Sequence, residues 1–234
     1  MFIGHYGVAL GAKRAATRTS LGTLILAAEF VDELWPILLL LGVERVRIVP
    51  GLMAATPLDF VHYPLTHSLL MEILWAILFG VAYFAIRRYR AGAWIVGAAV
   101  VSHWFLDLLV HRPDLPLWPG SPIRVGLGLW NSVPITLVLE FGIFIAGLAL
   151  YLGTTRARDR IGSWGLWSMA AALVIFFLAG TYGPPPPSEH ALAVTTLVLW
   201  IFVPWGYWID RHRAPGTAVG APPAPEARPH RGLE

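Results

Sequence analysis

The chain has 234 residues, of which 56% are hydrophobic and only 13% charged, with no cysteine and a formal net charge of +3. Soluble domains carry about 25% charged residues, so this much apolar surface demands a bilayer as second solvent and excludes an ordinary water-soluble domain. The absence of thiols excludes disulfides, thiolate metal ligands and cysteine nucleophiles, and the pI near 9.5 reads as a topology signal, with no nucleic-acid partner expected.

Residues 2–12 (FIGHYGVALGA) are apolar but shorter than the ~20 residues a crossing needs. A short re-entrant or interfacial segment is expected there, without the basic start or cleavage site of a signal peptide. Gly7 and Gly11 form a GxxxG spacing, which suits close helix packing. Six longer apolar stretches follow, roughly 21–42, 66–86, 91–111, 132–152, 164–182 and 190–209. The expected fold is an all-α, polytopic membrane bundle of about six transmembrane helices, spanning residues 1–212. Thr66 or Ser68 can cap the second span. The run Pro184–Pro187 is a stiff connector before the last span. From Arg213 onward (213–234) the chain is rich in Pro, Ala and Gly and reads as a disordered cytoplasmic tail.

Basic residues orient the bundle. With the N-terminus inside, the inner segments hold Lys13, Arg14, Arg18, Arg87, Arg88, Arg90, Arg156, Arg158, Arg160, Arg211, Arg213, Arg228 and Arg231, thirteen of the 17 Lys and Arg. The outer loops hold four, Arg45, Arg47, Arg112 and Arg124. This positive-inside pattern puts both termini in the cytoplasm. Arg45, Arg47, Arg112 and Asp114 read as solvated loop charges.

Ionisable groups inside spans are costly and mark function by default. The first span carries Glu29, Asp32 and Glu33; the second opens with His67 and contains Glu72; the third carries His103, Asp107 and His111; the fourth carries Glu140. At about 1.5 Å of rise per residue, most fall within roughly 6–15 Å of the outer ends, so four helices deliver acids and imidazoles to one layer. His103 and Asp107 stand at i and i+4 and share one helix face, which His111 continues. Such a pair can clamp a divalent ion, with zinc, manganese and iron all suited to imidazole plus carboxylate. It can equally be a hydrogen-bonded pair with no ion.

Four pieces in order carry a family resemblance: Gly4-His5, the acidic first span from Asp32 to Pro36, HYPLTHSLL from His62 to Leu70, and SHWFLDLL followed by DLPLWPG from Ser102 to Gly120. Over roughly residues 1–120 the chain resembles the YdjM-like family of bacterial inner-membrane proteins, to which metal-dependent hydrolysis is ascribed. The resemblance implies a plasma-membrane location and metal ligands at His5, Asp32, His62, His67, His103 and Asp107. Two positions depart from the family pattern: its H-R-G reads His62-Tyr63-Pro64 here, and the second acid of its D-x-D is replaced by Leu34. His5 precedes the inner basic cluster, so it reaches the outer layer only if residues 2–12 turn back into the bundle.

The leading expectation is a metal-dependent hydrolase with His67, His103 and Asp107 on a divalent ion, zinc first, and with Asp32 or His62 bridging to a second. Glu72 or Glu140 would act as general base, and the membrane location suits a lipid-like or phosphodiester substrate. The rivals are a transporter or proton-conducting protein using the same groups, haem held between His67 and His103, and a scaffold whose polar layer only holds helices together. Spans 4–6 do not echo the polar pattern of spans 1–3, which argues against an inverted-repeat transporter.

Overall fold

The computed structural model describes residues 1–216. Helix α1 (Ile3–Ala12) leads into α2 (Leu21–Leu40), which Ser20 opens by accepting the Thr23 N–H. A ribbon of β1 (Arg45–Ile48) and β2 (Leu58–His62) precedes the hairpin of α3 (Leu69–Arg87) and α4 (Arg90–Val110). Short strands β3 (Leu115–Pro116) and β4 (Arg124–Val125) pair before α5 (Val133–Thr154). After β5 (Thr155–Ala157), Asp159 caps α6 (Arg160–Tyr182) by accepting the Gly162 N–H. Helices α7 (Glu189–Thr196) and α8 (Phe202–Arg211) are joined by the 3-10 turn Leu197–Ile201, and β6 (Arg213–Pro215) pairs with β5.

Five helical segments are long and apolar enough to cross a membrane: α3, α4, α5, α6 and the continuous stretch Glu189–Arg211. They fall on the last five predicted stretches. The first stretch is α2, twenty residues long, with Glu29, Asp32 and Glu33 in its length. It packs against α1, α4, α7 and α8, and Glu29 and Glu33 are both buried. The surrounding helices turn apolar side chains outward. On α3, Leu74, Ile77, Leu78, Val81 and Ile86 are all exposed, and the one fully buried residue is Glu72. That inverted pattern suits lipid outside and a polar interior.

Residues 2–12 do not lie along the surface. Helix α1 is a ten-residue buried element packed against α5, α2 and α4. Glycine makes this possible. A Cβ on Gly7 would lie 2.6 Å from the Ile143 carbonyl oxygen, and one on Gly147 would lie 1.9 Å from the Gly7 oxygen. Backbone meets backbone at this crossing, as small residues permit between apolar helices. The other end of α1 is tied down by Lys13, whose Nζ donates to Asp210 on α8 at 2.8 Å and to the Thr19 carbonyl at 2.7 Å.

The caps differ from expectation. Ser68 sits at the N-cap of α3, but its hydroxyl donates to the Pro64 carbonyl at 2.6 Å, and Thr66 bonds elsewhere. Arg213–Pro215, read as the start of the tail, are structured. The Arg213 guanidinium donates to Thr155 Oγ1 and to the Gly162 carbonyl and lies over the Tyr151 ring. The rest of that tail, 217–234, lies outside the described residues.

Replacing Gly7 by Leu forces this crossing apart. Overpacking of this kind costs about 1–3 kcal/mol, so the thermal midpoint in detergent is expected to fall by roughly 2–12 °C. Gly142→Ala, where an added Cβ meets nothing within 4 Å, is expected to leave the midpoint within about 1 °C. Equal melting curves for Gly7→Leu and the parent chain would refute the close crossing.

Candidate metal centre

Five buried or half-buried side chains from four elements meet at one point: His5 from α1, Asp32 from α2, His67 just ahead of α3, and His103 and Asp107 from α4. His111, at the C-cap of α4, joins them. All four imidazoles and Asp107 are almost wholly buried, whereas the Asp32 side chain remains 22% exposed.

The proton on each ring follows from its outer partner. His103 Nδ1 lies 2.7 Å from the Ala28 carbonyl, which can only accept, so Nδ1 carries the hydrogen. For His67 the inference runs through a neighbour. Thr66 Oγ1 donates to Glu44 Oε2 at 2.7 Å and therefore accepts from His67 Nδ1, also at 2.7 Å. Glu44 is itself fixed by the backbone N–H groups of Leu65 and Thr66. His111 Nδ1 donates to Asp114 Oδ1 at 3.0 Å, an oxygen that also accepts from the Tyr63 hydroxyl at 2.9 Å. Burial and this carboxylate push the Tyr63 phenol well above its ordinary range, which keeps its proton in place.

Three imidazoles thus turn Nδ1 outward and Nε2 inward. The inward nitrogens of His111, His103 and His67 lie 3.4, 3.5 and 3.6 Å from Asp107 Oδ2. Asp32 Oδ1 lies 3.2 Å from His67 Nε2 and 3.6 Å from His103 Nε2. A neutral ring protonated on Nδ1 offers only a lone pair at Nε2, so lone pairs face carboxylate oxygens across these gaps. His103 Nε2 is buried without a hydrogen-bond partner. The gaps mostly exceed the ~2.7–3.2 Å of an N–H···O bond. They match the edges of a tetrahedral zinc shell, roughly 3.3–3.6 Å for ligands at about 2.0–2.2 Å. The donor set, its spacing and its outward-tied Nδ1 atoms all fit a divalent ion.

His5 reaches the centre because α1 is inside the bundle. Its ring stacks on His103 with centroids 3.6 Å apart and planes 5° from parallel. Its Nε2 lies 3.2 Å from Asp107 Oδ1, the oxygen that the Met1 amino group also contacts. His62 is not brought in. It ends β2 on the exposed side, and neighbouring Tyr63 is the residue that turns inward. Glu140 accepts the N–H groups of Phe2 and Gly4, each at 2.8 Å, and so holds the start of α1. Glu72 is buried with both oxygens unpartnered, as is Glu33. Haem does not fit between His67 and His103, because the Asp32 and Asp107 carboxylates both lie within 3.6 Å of both rings.

Two of the loop charges differ from expectation: Asp114 is buried and Arg112 partly so, whereas Arg45 and Arg47 stay exposed as expected. Asp59 is buried and accepts from Arg47 at 2.9 Å and from Arg112, which donates in turn to Asp114. These groups are held because a buried carboxylate requires cations, and through Asp114 the chain reaches His111.

Asp32, His67, Asp107, His111 and Glu140 face a cavity of about 560 Å³. Its walls include Trp35, Phe60, Trp130 and Phe177, with Pro50, Gly51, the run from Met53 to Leu58 and Pro184–Pro186 also lining it.

The family profile described as YdjM inner membrane protein matches residues 3–184, well beyond the first 120 residues that carry the sequence motifs. No curated protein and no solved structure matches. With a profile match over most of its length and five helical segments able to cross a bilayer, the chain belongs to the YdjM inner membrane protein family and is a multi-pass inner-membrane protein.

Proposed function

We propose that the protein is a membrane-embedded metal-dependent hydrolase acting on a lipid-like or phosphodiester substrate. The observation that carries this reading is the convergence of three Nδ1-anchored imidazoles on the Asp107 carboxylate, beside a cavity with an aromatic wall. His67, His103, Asp107 and Asp32 would hold the ion, with His111 adjoining and zinc favoured over manganese or iron. A divalent ion held here would supply Lewis acidity, activating water near neutral pH and polarising the bond to be cut.

The protein's own groups do the rest. Ala28, Thr66 and Asp114 keep the three Nε2 atoms unprotonated and aimed inward. Glu140 lines the cavity and retains lone pairs beyond its two backbone bonds, so it is the carboxylate placed to take a proton there. Glu72, buried with both oxygens unpartnered, lies outside the cavity lining and is given no part in this reaction. The aromatic wall excludes water and receives an acyl or alkyl chain. One rival draws on a specific observation. The unpartnered buried oxygens of Glu29, Glu33 and Glu72 suit a proton-relaying transporter.

We further propose six spans, counting α2, with the α1–α2 turn and the C-terminus cytoplasmic and the centre in the outer half; Met1, expected in the cytoplasm, is drawn into the bundle beside Asp107. The thirteen-to-four division of Lys and Arg supports this orientation. Reporter fusions after Arg88 and after Arg211 are expected to report cytoplasm, and one after Gly51 the external face; a reversed pattern refutes the orientation.

Elemental analysis of the purified full chain is expected to find at least one zinc, manganese or iron per chain, lost in His103→Ala and in Asp107→Ala. Wild-type protein that stays empty after incubation with divalent ions sinks the metallohydrolase reading and favours the proton-relay rival. Thr66→Val, which removes the acceptor of His67 Nδ1–H, is expected to weaken metal binding about 10–100-fold, with Thr66→Ser restoring it. Unchanged affinity in chelator competition would show that Thr66 does not position His67.

A further inference from the structure

We infer that the cavity opens sideways into the bilayer, between α6 and the last helical segment, and admits one hydrocarbon chain of a membrane lipid through that opening. This rests on the reading above for the cavity as substrate site, and adds where the substrate comes from and which residues admit it.

Helix α6 packs against α8 and β5 but not closely on α7. The last segment is broken at the same level. Pro204 has no N–H to return to the Trp200 carbonyl, and Leu197–Ile201 just before it form a 3-10 turn. The Trp200 indole donates to the Glu33 carbonyl at 3.1 Å, which ties the break to α2 next to Asp32.

The cavity runs through this gap. Its lining includes Phe176 and Gly180 of α6 on one side, and Thr195 and Val198 of the last segment on the other. These residues belong to the perimeter: Phe176 is 42% and Val198 45% exposed, and Gly180 and Thr195 are exposed too. Asp107 and Glu140, which line the same cavity, are buried. One space therefore reaches from the buried centre to the flank of the bundle. At ~1.5 Å per residue, Phe176 and Val198 lie roughly 9–13 Å in from the Tyr182 and Glu189 ends of their helices. The headgroup layer takes only about 5–8 Å of each leaflet, so the opening stands at hydrocarbon depth.

The chemistry of this side decides the occupant. Three threonines line it, yet Thr181 donates to the Phe177 carbonyl at 2.9 Å, Thr195 to Ala191 at 2.8 Å and Thr196 to Leu192 at 2.8 Å. Each hydroxyl proton is spent within its own chain segment and offers nothing to a polar ligand. Phe176, Phe177 and Leu199 make the rest of the passage apolar. A polar group taken along it would lose its hydration without recompense. A chain already in the leaflet exchanges one apolar surface for another and leaves its polar end at the centre.

The test uses the full chain in phosphatidylcholine vesicles containing a phosphatidylcholine with a diazirine near the end of one acyl chain. Adducts formed on photolysis are mapped by mass spectrometry. Wild type is expected to carry adducts on Trp35 and Phe60, cavity residues only 5% and 8% exposed, which a chain outside the bundle does not reach. An added Cβ at Gly180 meets nothing within 4 Å, so Gly180→Trp is expected to fold, fill the opening and lose both adducts. Val198→Trp fills it from the other side and is expected to do the same. Gly142→Trp, at an equally open glycine of α5 outside the cavity lining, is expected to keep them. Adducts confined to exposed residues such as Trp94 overturn the inference. Trp35 and Phe60 adducts that persist in both Gly180→Trp and Val198→Trp also overturn it, since the chain then enters by the outer rim. The labelling needs no ion. Protein that labels Trp35 but binds no metal keeps the opening and loses the metal reading; protein that binds metal but labels neither residue does the reverse.

Discussion

Asp107 places a carboxylate inside an apolar bundle with its side chain 2% exposed, and the surrounding structure answers that charge. An isolated ion in such a place is costly by many kcal/mol unless it is paired and hydrogen-bonded. Four imidazoles and the Met1 amino group approach its two oxygens. The imidazoles need outer partners of their own, and these come from Ala28, Thr66 with Glu44, and Asp114. The demand then passes outward from Asp114 to Arg112 and Asp59 at the water-facing ribbon. A single buried charge thus organises groups from α1, α2, α4 and the loops between them.

The same demand accounts for α1. Ten residues cannot cross a bilayer, and an unpaired helix end inside one leaves N–H groups without partners. Glu140 meets two of them, at Phe2 and Gly4. Gly7 and Gly147 let α1 lie against α5 backbone to backbone, and Lys13 anchors the far end on Asp210. His5 sits one turn in from the capped end, which fixes its height against His103. Glu140 therefore bears on the centre through α1.

The helices were legible because hydropathy over about 20 residues is a direct imprint of the bilayer. His103 and Asp107 were legible because i and i+4 share a helix face whatever the tertiary fold, and His111 lay on the same face although its role went unassigned. His5 came from the family resemblance alone, since nothing in a run of eleven apolar residues says whether it lies on a membrane or inside a bundle. Glu44, Tyr63 and Asp114 carried no local signal. Their roles exist only after residues 22 and 51 positions apart are brought together, as Glu44 is to Thr66 and Tyr63 is to Asp114. Arg112 and Asp114 looked solvated because a loop charge gives no hint that a buried Asp59 waits beside it. His62 misled in the opposite way: it belongs to a motif, but in this chain the inward turn is made by Tyr63.

The cavity joins two kinds of surface. Its floor is buried carboxylates and imidazoles; its walls are Trp35, Phe60, Trp130, Phe176 and Phe177. Water-soluble substrates gain little from such walls, whereas a molecule with one charged and one greasy end matches both. The outer rim is made by Pro50, Gly51, the run from Met53 to Leu58 and Pro184–Pro186, and prolines fix backbone without needing donors satisfied. A rim of that kind stays open at a boundary where backbone N–H groups would otherwise seek partners. The centre sits at the end of the bundle that carries these loops, away from the Lys13–Asp210 pair and the β5–β6 ribbon at the other end. An amphiphile resting in one leaflet would present its polar end at this depth, and only on one side of the membrane.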